Sequence, residues 1–170
     1  GQVIAVVRRA QALDRAGDKD RALELYRRAW EASPTRADVV ILGGRILLAQ
    51  ERGDEAAEWY AEAVARVPHH TQLWLEYGDV LERTGRPEAA DSVWTIGMKN
   101  SPEREILVTG IVKRLAERYR YDHARRWAEH GLAMSSNGAM LHRLLFEMEL
   151  TAGNWCTATE HAAQFIHTNP

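Results

Sequence analysis

The sequence predicts an all-α chain, a solenoid of five helix-turn-helix repeats with about ten antiparallel helices. Three observations predict it. Ala22, Ala56, Ala90, Ala124 and Ala158 recur at a fixed i, i+34 spacing along the whole chain. Pro34, Pro68, Pro102 and Pro170 each follow a ladder alanine by twelve residues, and Ser136 stands at the one rung without proline. Apolar residues recur at helical spacing between the turn residues, and this period is the length of one helix-turn-helix solenoid unit.

Placing the ladder alanine at position 20 divides the chain into repeats 3–36, 37–70, 71–104, 105–138 and 139–170, read together as a single array over 1–170. In the first repeat, Ile4, Val7, Leu13 and then Leu23, Tyr26, Trp30 form stripes on either side of Gly17-Asp18, where glycine ends one helix and aspartate caps the next. Pro34 stops the second helix by forcing its predecessor out of helical geometry. In the second repeat, Gly53-Asp54 falls two residues later in register, which predicts a longer first helix and a tighter connection. The third repeat carries Gly85-Arg86-Pro87, with proline in the first turn, where its missing N–H costs little. In the fourth, Tyr119-Arg120-Tyr121-Asp122 replaces the glycine turn and leaves Asp122 to cap. Gly153-Asn154 restores the pattern in the fifth. No strand and no long linker is expected.

The third repeat reads Trp74, Tyr77, Gly78, Leu81, Ala90, Trp94, Gly97 and Pro102; the second Val40, Gly44, Leu47, Ala56, Tyr60, Ala63 and Pro68; the first Ala10, Leu13, Ala22, Tyr26, Ala29 and Pro34. In these positions the chain resembles the tetratricopeptide repeat family, whose pattern is W-x2-L-G-x2-Y followed by alanine, aromatic, alanine and proline. The resemblance implies a right-handed superhelix whose first helices line the concave side. Repeats four and five depart from the pattern, with Val112 and Phe146 at the small-residue position and Trp127-Ala128 shifted against the expected aromatic. Wider or rotated packing is expected there. Each ladder alanine marks a close approach of helices, with Trp30, Tyr60, Trp74 and Trp94 filling the space around it.

The chain has 22 Lys and Arg against 24 Asp and Glu, a net charge of -2, and so lacks the basic excess that nucleic acid or an anionic membrane would call for. Its longest apolar stretch, 39–49, contains Arg45 and is far shorter than the roughly 20 residues of a membrane span. The dominance of arginine over lysine is read as a bacterial composition. One cysteine, Cys156, excludes an internal disulfide and a cysteine-based zinc site.

Catalytic and metal readings find little support in the spacing. His69 and His70 lie after Pro68, His123 and His130 are seven apart, and His161 and His167 six apart, so none forms the i, i+4 pair of a zinc protease. His142 falls in a first-helix stripe and reads as a hydrogen-bonded, partly buried residue. Ser33, Ser101, Ser135 and Ser136 sit at helix ends, where serine caps or turns. Cys156 reads as a small semi-buried residue. The chain is therefore expected to be no enzyme and to need no cofactor.

The family's groove-facing positions carry over as two columns. The fifth gives Val7, Ile41, Leu75, Thr109 and Arg143; the ninth gives Gln11, Arg45, Asp79, Lys113 and Glu147. The columns fit a peptide groove with an apolar floor and polar anchors, and equally a set of charges that neutralise one another between repeats. The family's lysine and asparagine clamp for a terminal carboxylate is missing, because its positions hold Val7, Gln11 and Leu42. The expected role is a protein-interaction scaffold for a peptide or protein partner, part of a longer bacterial protein in an envelope or exopolysaccharide-export assembly, in cytoplasm or periplasm. RNA binding and self-association through exposed repeat ends are the alternatives.

Overall fold

The computed structural model describes residues 1–135 and 138–168. Its secondary structure is helical throughout these residues: α1 Gln2–Arg15, α2 Lys19–Ala32, α3 Ala37–Ala49, α4 Gly53–Arg66, α5 Thr71–Arg83, α6 Pro87–Asn100, α7 Arg104–Glu117, α8 Tyr121–Met134, α9 Ala139–Ala152 and α10 Trp155–Thr168. The Ser136 and Pro170 rungs of the ladder lie outside the described residues. The chain forms two compact units, Gly1–Pro102 and Glu103–Pro170. In the first, each helix from α1 to α6 packs on the next and α3 also meets α5; in the second, α7–α8, α8–α9, α9–α10 and α7–α9 pack.

All five hairpins turn by the same device. Gly17, Glu51, Gly85, Tyr119 and Gly153 keep the i, i+34 spacing of the ladder and have φ of 88°, 61°, 79°, 60° and 81°. The following N–H then closes back on the first helix: Asp18 to Leu13, Arg52 to Leu47, Arg86 to Leu81 and Arg120 to Leu115, each at 2.9 Å, and Asn154 to Glu149 at 2.8 Å. This closure satisfies carbonyls that a helix end would otherwise leave orphaned. A Cβ built on Gly17, Gly85 or Gly153 meets nothing within 4 Å, so backbone conformation and not space selects glycine there.

The turn register corrects two expectations. Gly53 is the first residue of α4, not the turn, and α3 has 13 residues against 14 in α1, so it is not lengthened. The left-handed position belongs to Glu51, which a search for glycine passes over. Asp122 is likewise inside α8, after the capping position of Arg120, and bonds Arg125 at 2.6 Å. Asp18 does cap α2, accepting from the Arg21 N–H at 3.4 Å, and Pro87 opens α6 as expected.

A non-glycine residue in the left-handed region costs about 1–2 kcal/mol, partly offset by the extra entropy glycine loses on folding. Glu51 and Tyr119 are exposed, so replacement removes little packing. Glu51→Gly is expected to stabilise by about 0.5–1 kcal/mol and raise the thermal midpoint by about 1–4 °C. Tyr119→Gly gains less, because Tyr119 also meets the Tyr121 ring edge-on at 6.0 Å. An unchanged or lowered midpoint for Glu51→Gly would contradict the assigned turn.

The core follows the ladder. Ala22, Ala56, Ala90, Ala124 and Ala158 are all 0 % exposed. Around them Trp30, Tyr60, Trp74 and Trp94 are buried as expected. Two hairpins are held closer still by glycine: a Cβ on Gly44 would lie 2.3 Å from the Tyr60 Oη, and one on Gly78 2.0 Å from the Trp94 Nε1. That approach lets each ring reach the partner backbone, with Tyr60 Oη donating to the Ile41 carbonyl at 3.4 Å and Trp94 Nε1 to that of Leu75 at 3.3 Å. In the first repeat, Ala10 replaces the glycine and the buried Tyr26 hydroxyl has no hydrogen-bond partner among the described residues. Burial, aided by Asp14, pushes the Tyr26 phenol above its ordinary range.

Repeat four inverts the sizes. Val112 on α7 and Ala128 on α8 are each fully buried, so the larger residue now stands on the first helix and the smaller on the second. Trp127, one position earlier, is also buried and meets the His130 ring edge-on at 5.6 Å. Around Gly131, Leu141 of α9 and Val108 of α7 close in, leaving a Cβ there only 2.7 Å and 2.9 Å from their methyls.

Candidate partner-binding surface

The columns predicted to face a groove divide by burial. In the first unit, Val7 on α1 and Leu75 on α5 are buried, Gln11 and Ile41 are half-buried, Asp79 is buried, and Arg45 on α3 projects with its side chain 63 % exposed. In the second unit, Thr109 on α7 is half-buried, while Lys113 on α7 and Arg143 and Glu147 on α9 are exposed. Leu42, from the absent clamp, is half-buried.

First helices are neighbours within each unit, α3 beside α5 and α7 beside α9. Arg45 thereby comes within 3.9 Å of Glu76, a buried carboxylate one turn before Asp79. At that length the contact is a loose ion pair rather than a hydrogen bond. Arg143 lies 3.6 Å from Glu147 on its own helix, a solvated i, i+4 pair worth a few tenths of a kcal/mol. Charge balance is thus partly local, with the Arg45 side chain 63 % and the Arg143 side chain 49 % exposed. Glu76 is not among the residues that the sequence columns select. Its signal is the i, i+3 spacing to Asp79, which puts two carboxylates on one face of α5.

The second helices form a feature that sequence reasoning missed. Between α2, α3 and α4 lies a cleft of about 220 Å³ whose floor includes Leu23, Leu47 and Trp59. The Trp59 Nε1 donates to the Val40 carbonyl at 2.9 Å, and the Arg27 guanidinium sits 4.7 Å above its ring. Carboxylates on the rim are answered within the chain, Glu55 by Arg52 and Glu24 by Arg28, each at 2.6 Å. The Arg52 hydrogen bond holds the Glu55 carboxyl below its usual range.

The histidines and the cysteine bring no metal-binding group together: among the described residues there is no cluster of three or more His, Cys, Asp or Glu side chains that could hold an ion. His69 Nδ1 lies 3.0 Å from the Asn100 carbonyl, and His123 is buried. His142 is half-buried and hydrogen-bonded, as its place in the stripe implied. Cys156 is exposed rather than semi-buried, because α10 buries Ala158 and turns its opening residues outward.

The glycine-aromatic contacts, the alanine rungs and the five identical turns are now joined by a direct match. The tetratricopeptide repeat family matches over residues 7–70 and 41–90. The chain belongs to the tetratricopeptide repeat family. Such repeats generally mediate protein–protein interaction, and their arrays are typically non-enzymatic scaffolds.

Among proteins of known sequence, the tetratricopeptide array is similar to Protein bimA of Emericella nidulans, with 26% identity over 91 residues. That alignment covers 54% of this chain and 11% of bimA, so the chain spans about a tenth of that relative's length. Solved structures share the fold across nearly the whole chain. PilF of Pseudomonas aeruginosa aligns with a TM-score of 0.59 at 17% identity, covering 99% of this chain and 77% of that one. TTC0263 of Thermus thermophilus aligns with a TM-score of 0.56 at 22% identity, covering 99% and 92%. YrrB, described as a TPR protein with an unusual peptide-binding site, aligns with a TM-score of 0.51 at 18% identity, covering 99% and 87%. Among the described residues no helix is long and apolar enough to cross a membrane.

Proposed function

We propose that this array is a scaffold that captures a peptide or protein segment along its first helices. The reading assigns the apolar contacts to Val7, Ile41, Leu75 and Thr109 and the polar ones to Gln11, Arg45, Asp79, Lys113, Arg143 and Glu147. The observation that carries it is Arg45. Its guanidinium is mostly solvated, stands one turn after half-buried Ile41, and is tied only loosely to Glu76. A partner carboxylate can therefore compete for it at little cost, while the adjacent apolar surface supplies the area. The setting we propose, a bacterial envelope or exopolysaccharide-export assembly, rests on the arginine-rich composition.

Crosslinked affinity capture from the native cell extract identifies the partner, and charge reversal tests the surface. Arg45→Glu and Lys113→Glu are each expected to weaken capture by about tenfold while leaving helicity unchanged. Unaltered capture by both variants would reject the first-helix surface.

Self-association is a second reading, favoured by α10, where Trp155 is 68 % and Ile166 69 % exposed. Light scattering that shows a monomer at all concentrations would end it.

A further inference from the structure

His142 on α9 and His161 on α10 point their Nδ1 atoms at each other across 3.3 Å, with ring centres 5.6 Å apart. That separation is what two imidazoles have when the nitrogens meet nearly head on, one carrying the hydrogen and the other the lone pair. We propose that this pair is an acid-sensitive latch of the α9–α10 hairpin: one shared hydrogen joins the helices, and a second proton breaks the join.

The chemistry follows from counting hydrogens. With both rings neutral, one Nδ1–H donates to the other Nδ1. A first proton can sit on either ring without losing the bond, since the cation donates to its neutral neighbour. A second proton gives both Nδ1 atoms a hydrogen, and two donors and two like charges then face each other at bonding distance. The rings must part. The half-buried site gives the charges little water to screen them.

The surrounding groups bias the order of protonation. Glu149 of α9 is the carboxylate that feels the His161 charge, and it is already held by Arg125 of α8 at 2.5 Å and Asn154 at 2.7 Å. The charges farther along α9, Arg143 and Glu147, pair with each other in solvent. From α7 the approach to the start of α9 is apolar, through Val108. His142 is the ring disfavoured as a cation: burial, followed by the His161 charge, holds its imidazole below the ordinary range. The folded hairpin thus binds fewer protons than the unfolded chain as pH falls below about 6.5, and the stability the latch contributes is lost in that direction.

Hydrogen exchange on the intact chain, corrected for the intrinsic pH dependence, tests the latch. Between about pH 7.5 and 5.5 the amides of α10 should lose protection about three- to tenfold, with α2 as the internal reference. His142→Gln keeps a polar partner for His161 and removes the second cation, so its α10 protection should be flat over that interval. A wild-type response no larger than that of α2, or a response unchanged in His142→Gln, overturns the proposal. If His142→Gln does not fold, His161→Gln answers the same question. Titration of the wild-type imidazole resonances decides it without a variant: one ring holding neutral to lower pH than its neighbour supports the latch, and two independent titrations in the ordinary range refute it.

Discussion

Arg125→Met should destabilise the unit formed by residues 103–170 by about 3 kcal/mol, the largest single effect expected here. Glu149 is only 1% exposed and keeps its charge because Arg125 reaches it twice, Nε to Oε1 at 2.5 Å and a terminal nitrogen to Oε2 at 3.0 Å. Methionine fills the space of the arginine stem but leaves a buried carboxylate with Asn154 as its remaining named donor. Arg125→Lys should recover part of the loss, since an ammonium supplies the charge but not the two-pronged geometry. The double variant Arg125→Met, Glu149→Met should be milder than the single one, because no charge is stranded. Chemical denaturation of the three variants checks the order. A single variant as stable as wild type would mean that Glu149 finds water.

The same pair predicts a pH dependence distinct from that of the histidines. The Arg125 hydrogen bond is the main cause that holds the Glu149 carboxyl below its usual range, against the opposing effect of burial. A carboxyl depressed in the folded state contributes stability that is full above its unfolded value, about 4.3, and is lost as pH falls through the folded value. Acid unfolding below about pH 4 should therefore include this pair, whereas the stability the histidine latch contributes starts to fall already below the ordinary imidazole value of about 6.5. In Arg125→Met this acid loss should shrink, because burial without the guanidinium favours the neutral carboxyl, and the variant's deficit against wild type should narrow as pH falls.

Gly78→Ala should cost about 1–3 kcal/mol even though alanine is the better helix former. The gain in propensity is about 1 kcal/mol. Against it, the new methyl would lie 2.0 Å from the Trp94 Nε1, and Trp94 is 0 % exposed with its N–H committed to the Leu75 carbonyl. The ring cannot yield without breaking that bond and disturbing α5 against α6. Gly43 gives the contrast within one fold. A Cβ there first meets the Trp59 ring at 3.0 Å, so a shift of a few tenths of an ångström suffices. Gly43→Ala should be far milder than Gly78→Ala in thermal melts, and equal effects would show that close approach at Gly78 is not what glycine provides.

These contrasts show which parts of the fold the sequence makes legible. A ladder alanine reports its packing because any larger side chain would be excluded there, and exclusion repeated at a fixed interval leaves a visible period. The left-handed turn leaves a trace only where glycine fills it, as at Gly17, Gly85 and Gly153; Glu51 and Tyr119 take the same conformation and give no sign of it. Gly53 then misleads, because a glycine near the turn reads as the turn itself. Contacts between helices are hidden for another reason. Arg125 and Glu149 are 24 residues apart, His142 and His161 are 19 apart, and neither spacing marks a face of one helix.

The candidate surface is legible in outline only. The repeat register selects Ile41 and Arg45, which do lie where solvent reaches them, but it gives Leu75 and Asp79 the same standing although both are buried. Exposure depends on which neighbours pack over a position, and a fixed repeat position carries no record of that. Glu76 enters the surface in the same way, through its approach to Arg45 from the neighbouring first helix.

The central claim is that one repeating frame, marked by the alanine ladder, sets the helix packing in every repeat, and Ala90→Leu tests it most directly, with Ala89→Leu as the control. Ala90 is 0 % exposed and its neighbour Ala89 is exposed on the same helix. Thermal and denaturant melts should show Ala90→Leu less stable by about 1–3 kcal/mol and Ala89→Leu within about 0.5 kcal/mol of wild type. If Ala90→Leu proves as neutral as Ala89→Leu, the helices do not meet at the ladder and the frame is wrong.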